Sequence, residues 1–250
     1  MRRLSGHGYT KPPPGAQIDW GHPLARGLVG CWLFNEAGGI RANGLAAANH
    51  GLLGEGIAAN MPVWAGQGLR FDGLDDYVDM GYRPELLSPA LSIFARIYPI
   101  AVLGPRDTIA ANGNANTWAT NNYIFGINNT NSRLTFFGRT PASQLFSDNN
   151  AYRLNCWNSV GVTVGDGTLT FYAAGTKAGS MAATVGTDNT RGGGIGATYG
   201  NPAEVVYYFR GFIDIPLIYS RVLSPSEVTW LAAESYAMIQ APVSRRWFLP

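Results

Sequence analysis

The sequence predicts an all-β protein, an antiparallel sandwich or barrel with one short C-terminal helix. Three observations carry that prediction. Apolar residues alternate with a period of two in run after run, and Gly, Asn or Asp clusters separate the runs, as in strands with one buried face. The 250 residues fall within the roughly 200–250 that β sandwiches reach as one domain. One stretch near the C-terminus switches to helical spacing behind a helix-start signature.

From the N-terminus, residues 1–26 read as an irregular arm, because Pro12, Pro13 and Pro14 favour an extended polyproline-like path. "LVGCWLF" (28–34) is the first strand signal. "GLRF" (68–71) and "DYVDM" (76–80) flank the turn Asp72-Gly73-Leu74-Asp75. "LSIFARIY" (91–98) puts Leu91, Ile93, Ala95 and Ile97 on one face. Residues 112–131 are rich in Asn and read as a long loop leading into a strand. "NYIFGIN" and "SRLTFFG" follow, joined by the polar turn "NTN". "NSVGVTV" aligns Val160, Val162 and Val164, and Gly165-Asp166-Gly167 turns it into "TLTFYAAG".

The last strand signal is "GFIDIPLIY" (211–219), a nearly unbroken apolar run that contains one carboxylate, Asp214. Ser224-Pro225-Ser226-Glu227 then forms a capping box, with Ser224 at N-cap, Pro225 at N1 and Glu227 at N3. Leu223 and Val228 are spaced for a hydrophobic staple. The predicted helix spans 223–240, limited by Pro242, and leaves 241–250 as a basic, aromatic tail. The domain proper is 27–222.

Composition narrows the function. The formal charge is +2 and charged residues are 14%, without the basic, aromatic-laced stripe of a nucleic-acid binder. No run approaches the roughly 20 apolar residues of a membrane span. Arg2 and Arg3 have no apolar segment behind them, so the expectation is a chain without a signal peptide. Cys31 and Cys156 sit in strand-like apolar contexts and are expected to be free core thiols. His7, His22 and His50 lie in Gly- or Pro-rich stretches and read as loop residues.

"GLVGCWLFNEAGG", "NHGLLG", "GLRFDGLDDYVDMG", "LSIFARIYP", "CWNSVGVTVGDGTLTFYAAGTKAG" and "FRGFIDIPLIYSRVLSPSEV" occur in that order. Together they resemble a laminin-G-like domain of the concanavalin A-like lectin/glucanase superfamily over roughly 27–235. The resemblance implies a two-sheet antiparallel jelly roll. The ends, "HPLARGLVGCWLFNEAGG" and "SRRWFLP", resemble stand-alone copies encoded by tailed bacteriophages. What this implies is a virion protein assembled in the host cytoplasm: a capsid decoration, tail or fibre component that docks on other virion proteins through the N-terminal arm (1–26) and the C-terminal tail (241–250), with an outward lectin-like face.

Four chemistries were weighed. Glycoside hydrolysis needs two carboxylates flanking the scissile bond. The Glu-x-Asp-x-x-Glu strand motif of the superfamily's laminarinase-like branch is missing, so no catalytic residue is expected. No cofactor is required. Ca²⁺ is the metal that the resemblance allows, and Glu36, Asp72, Asp76 and Asp214 are its candidate ligands. Asp72 and Asp75 also flank a turn Gly, where Asp favours local backbone bonding. Cell-surface glycans are candidate ligands of Trp118, Asn121, Asn122 and Tyr123, an aromatic and amide cluster that could equally pack over a sheet edge. "GATYGNPAEVVYYF" (196–209) is a second glycan candidate. Finally, Ile215 and Leu217 make both faces of the last strand apolar, and both faces must then be covered. The cover is the chain's own C-terminal segment, or else a protein contact with a virion partner or a second copy, shared with Arg245, Arg246 and Trp247.

Overall fold

Period-two alternation and Gly-rich punctuation produce two facing antiparallel sheets. They are seen in a computed structural model that describes residues 10–113, 123–138, 140–141, 143–186, 192–199 and 205–242. Sheet one runs, edge to edge, β12 (Gln144–Phe146), β11 (Arg133–Phe137), β10 (Tyr123–Asn128), β9 (Asp107–Asn112), β16 (Gly193–Ile195), β7 (Val78–Gly81), β4 (Gly51–Leu53) and β3 (Arg41–Ala42). Sheet two runs β15 (Thr176–Ala182), β14 (Thr168–Ala173), β13 (Asn158–Gly165), β8 (Leu91–Ala101), β19 (Arg210–Tyr219), β6 (Leu69–Asp72) and β5 (Val63–Trp64). β2 (Leu28–Cys31) adds to the far part of β19. Two ribbons complete the strands among the described residues: β1 (Gln17–Ile18) with β20 (Ile239–Gln240), and β17 (Thr198–Tyr199) with β18 (Val205–Val206).

The main core lies between the sheets. Leu91, Ile93, Ala95 and Ile97 of β8 meet Val160, Val162 and Val164 of β13 in one buried cluster, as their alternation predicts. Ile109, Phe125 and Phe136 face them from sheet one. The 72–75 turn carries the chain from sheet two, in β6, to sheet one, in β7. This layered, antiparallel arrangement is the predicted jelly-roll sandwich.

A second core sits on the outer face of sheet two. It arises from a bulge in β19. Asp214 pairs with Arg96, but Leu217 pairs with Phe94, so three steps on β19 match two on β8. Ile215 absorbs the extra residue at φ 42°, a left-handed conformation that a β-branched side chain rarely adopts. The bulge changes the strand's phase. Ile213 and Ile218 point into the main core, while Ile215, Leu217 and Tyr219 point outward. Phe94 and Tyr172 join them from β8 and β14.

The chain's own ends cover this outward patch. Leu24 and Ala25 come from the N-terminal side, and Val228, Leu231 and Met238 come from the C-terminal side. The expected protein contact at Ile215 and Leu217 is therefore corrected. Both are 0% exposed, and the intrachain cover is the alternative that holds. Residues 16–26 are likewise part of the fold: β1 pairs with β20, and Ala16, Ile18, Leu24 and Ala25 are core residues.

α1 (Pro225–Ala233) starts as predicted. The Ser224 hydroxyl accepts from the Glu227 amide, and the Glu227 carboxylate accepts from the Ser224 amide at 2.8 Å. Leu223 and Val228 are both buried in the second core. The helix ends earlier than the predicted 240. The chain turns after Glu234 and delivers Met238 to the core and Ile239 to its pairing with Ile18. Burial of Met238 and capture of the arm outweigh two further helical turns. The tail from 243 onward, including Arg245, Arg246 and Trp247, lies outside the described residues.

Candidate functional site

The second core covers only part of the outer face of sheet two. Beyond the bulge, the outward positions on β8 and β19 are the buried Arg96 and Asp214 and the half-buried Tyr98 and Phe212. Trp157, just before β13, closes the group. Tyr98 packs against Trp157 and against Phe212 with ring centroids 5.7 Å apart in each case, and Trp157 lies 6.4 Å from Phe212. All three rings are half-buried. The Trp157 indole N–H donates to Gln67 Oε1 at 3.1 Å, and the Arg96 guanidinium lies 4.9 Å from the Trp157 ring centroid. Two open hollows share Gln67 and Trp157: one of about 260 Å³ floored by Arg96 and Asp214, one of about 410 Å³ along Tyr98 and Phe212.

A charge cluster forms the border between the covered and the open halves. Asp214 is 1% exposed. Its Oδ1 accepts from Lys11 Nζ at 2.9 Å, and its Oδ2 accepts from Arg96 Nη1 at 3.2 Å and from the Tyr236 hydroxyl. Lys11 comes from the N-terminal arm and Tyr236 from the segment after α1, so one carboxylate ties both ends to the sheet. Burial lowers the Lys11 pKa against the pull of Asp214. Burial, then the Asp214 charge, raises that of Tyr236. A buried carboxylate with two cations and a phenol is compensated, which is how a charge survives in an apolar strand.

This answers the Asp214 metal expectation with a correction. Its oxygens are held by cations and a hydroxyl, a donor set that repels a metal ion. The other three candidates do not join it. Asp72, Asp75 and Asp76 lie with carboxylate oxygens within 4.8 Å of one another. Asp72 Oδ1 accepts from the Leu74 amide at 2.8 Å, and Asp76 Oδ2 accepts from the Asp72 amide at 2.8 Å. Burial pushes the Asp76 carboxyl up to about 6. Glu36 accepts from the Asn43 amide and stands outside that cluster. The four carboxylates thus do not form one Ca²⁺ site, and turn chemistry accounts for Asp72.

The predicted glycan loop fares differently by residue. Trp118, Asn121 and Asn122 lie outside the described residues. Tyr123 is 1% exposed in the main core, so it is not available to stack on a ligand, which corrects that assignment. In the 196–209 stretch, Val206 and Tyr207 pack on Ala111, Ile124 and Phe137, and the Arg106 guanidinium lies 4.3 Å from the ring centroids of both Phe137 and Tyr207. Cys31 is buried, with its thiol pushed up to about 12 by burial, while Cys156 is half-buried; both are free. Among the described residues no helix is long and apolar enough to cross a membrane.

Tyr98, Trp157, Phe212, Gln67 and Lys11 were not singled out from the sequence. A signal for part of the set existed. In "FARIY" and "FIDI", the positions out of phase with the core residues carry Arg96, Tyr98, Phe212 and Asp214. Aromatic and charged residues sharing the outward phase of two strands mark a face that is neither core nor ordinary surface.

Comparisons with known proteins fit this architecture. A laminin-G-type family model, described as the concanavalin A-like lectin/glucanases superfamily, matches residues 72–229. No curated protein matches the sequence. Domain 4 of AbnA, an extracellular arabinanase from Geobacillus stearothermophilus, solved with arabinotriose, is similar with a TM-score of 0.51 at 17% identity, over 82% of this chain and 86% of that one. The CBM40 of a Ruminococcus gnavus IT-sialidase, bound to α2,3 sialyllactose, is similar with a TM-score of 0.53 at 17% identity, over 66% and 95%. The sialidase of Trypanosoma rangeli gives a TM-score of 0.64 at 17% identity over 85% of this chain, which spans only 33% of the sialidase. With most of its length matched by the family model and its sandwich shared with these structures, the chain belongs to the concanavalin A-like lectin/glucanases superfamily.

Proposed function

We propose that this protein is a carbohydrate-binding, lectin-like jelly roll that holds glycans without cleaving them. One observation carries the reading: three half-buried rings, Tyr98, Trp157 and Phe212, line an open hollow beside hydrogen-bonding groups that are fixed in place. Flat aromatic faces suit the apolar faces of sugar rings, and a few oriented polar groups set specificity. Two similar domains, one solved with arabinotriose and one with sialyllactose, support a glycan as the ligand class. Hydrolysis has weaker support. Asp214 is the carboxylate lining the hollow, and Lys11 and Arg96 neutralise it, whereas glycosidases use a pair. An array of polysaccharides and short capped glycans, probed with wild type and Trp157→Ala, tests the proposal. Binding lost in the variant at unchanged thermal stability supports it; no hit on any glycan, or hits that Trp157→Ala leaves intact, overturns it.

A place on a virus particle is a second, finer proposal, supported by the resemblance of the chain ends to phage-encoded copies. Since residues 16–26 serve the fold, anchoring would fall to the start of the arm and to 241–250. Detection of the chain in purified particles, lost on removing 243–250, is the expected result; its absence from particles would sink the idea.

A further inference from the structure

The hollow floored by Arg96 and Asp214 is not isolated. Lys11 lines it and also lines a neighbouring hollow of about 210 Å³ walled by Trp64, Phe34 and Asn35. Trp157 lines it together with two more, the 410 Å³ hollow along Tyr98 and Phe212 and one of about 510 Å³ that reaches Ser159 and Ala232. Each hollow alone is at or below the middle of the roughly 300–1,000 Å³ of small-ligand sites. Their shared walls set them side by side, with Lys11 between two of them and Trp157 bordering three.

The far hollow is built for contact in its own right. Trp64 is half-buried and its indole N–H donates to the Gly39 carbonyl at 2.8 Å, which fixes the ring. Asn35 donates to the carbonyls of Pro12 and Pro13 at 3.0 and 2.9 Å, which fixes the opposite wall. A second positioned indole, separated from the Trp157 group by a polar junction, repeats the pattern of ring beside hydrogen-bonding group. A ligand that is itself a repeat matches such a run. A terminal sugar would use one hollow and leave the rest empty.

Resting on the carbohydrate-binding reading, we infer that the ligand is a linear polysaccharide, gripped along internal units by the run of hollows from Trp64 past Lys11 to Trp157, rather than a capped terminal sugar. Linked subsites gain affinity with each unit that spans to the next one.

The test uses the full chain in two stages. The array above contains both linear polysaccharides and short capped glycans, α2,3 sialyllactose among them. Hits among linear polysaccharides are expected. A size-fractionated hydrolysate of the hit polysaccharide, from two to eight units, is then titrated by calorimetry. Affinity should rise at least tenfold from two to six units. Trp64→Ala should weaken the six-unit ligand about tenfold and the two-unit ligand less than twofold. The wild-type length series stands on its own if Trp64→Ala folds poorly. Affinity that is flat beyond two units, or hits confined to capped glycans, overturns this inference and leaves carbohydrate binding standing. No hit at all removes the underlying reading instead.

Discussion

The outer face of sheet two has a covered half and an open half, built from the same two strands. On one side of the β19 bulge, Phe94, Leu217 and Tyr219 are sealed under α1 and the 16–26 segment. On the other side, Tyr98 and Phe212 are half-buried, packed against Trp157 but not sealed under the chain ends. The residue types are similar, large and apolar in both halves. What differs is the cover, and the border is the Asp214 cluster, which takes Lys11 from one end of the chain and Tyr236 from the other. An apolar sheet face can be core or binding surface, and where the flanking segments stop decides which.

Removing the border should have the largest effect. Asp214→Ala leaves the buried Arg96 and the half-buried Lys11 without this carboxylate and removes one tie between each chain end and the sheet. A loss of about 3–5 kcal/mol is expected in urea unfolding. A variant within 1 kcal/mol of wild type would mean that the cluster does not hold the halves together. Next, Leu217→Ala in the covered half should cost about 2–4 kcal/mol through lost burial and a cavity.

The open half should respond in the opposite currency. Phe212→Ala is expected to change stability less than Leu217→Ala, since its ring is only half-buried, yet to weaken glycan binding by about 30-fold, as aromatic anchors do. Equal stability losses in the two variants would erase the distinction.

The smallest effect concerns how the cover begins. Glu227 is held down from 4.5 to about 2, first by the hydrogen bonds from Arg221, against a smaller burial cost. The folded pKa lies below the unfolded one, so this stabilisation is complete above about 4.5 and fades as pH falls toward 2. Glu227→Gln should lower the unfolding free energy at pH 7 by about 1 kcal/mol and flatten the acid limb of the stability profile. An unchanged acid limb would place the acid sensitivity elsewhere.

The sequence made the sandwich legible because a face turned to the main core leaves apolar residues at every second position, as Leu91, Ile93, Ala95 and Ile97 of β8 and Val160, Val162 and Val164 of β13 do. The helix start was equally legible, since a capping box is local chemistry. The double-sided apolarity of β19 was visible too, and it called correctly for a second cover. The C-terminal part of that cover was one of the two alternatives the sequence offered, and Val228, Leu231 and Met238 supply it; the arm's part was not legible. The arm's Leu24 and Ala25 carry no periodic signal, and the β1–β20 pairing joins residues 17–18 to 239–240. Nor could sequence place the bulge, because Ile215 at φ 42° violates the preference of its own residue type. The groove was missed for the same reason: Trp157, Gln67 and Lys11 are brought together by tertiary packing alone. Gly211, by contrast, shows its purpose once placed, since a Cβ there would run into the Tyr98 carbonyl.

The central claim is that the open half, and not the covered one, meets a glycan. Indole resonances report it directly, because Trp157 lies in the groove while Trp20 and Trp230 lie exposed elsewhere. In a ¹H–¹⁵N titration with the polysaccharide fragment identified on the array, the Trp157 indole signal should shift to saturation while those of Trp20 and Trp230 stay in place. Shifts at Trp20 or Trp230 with Trp157 unmoved would contradict the account.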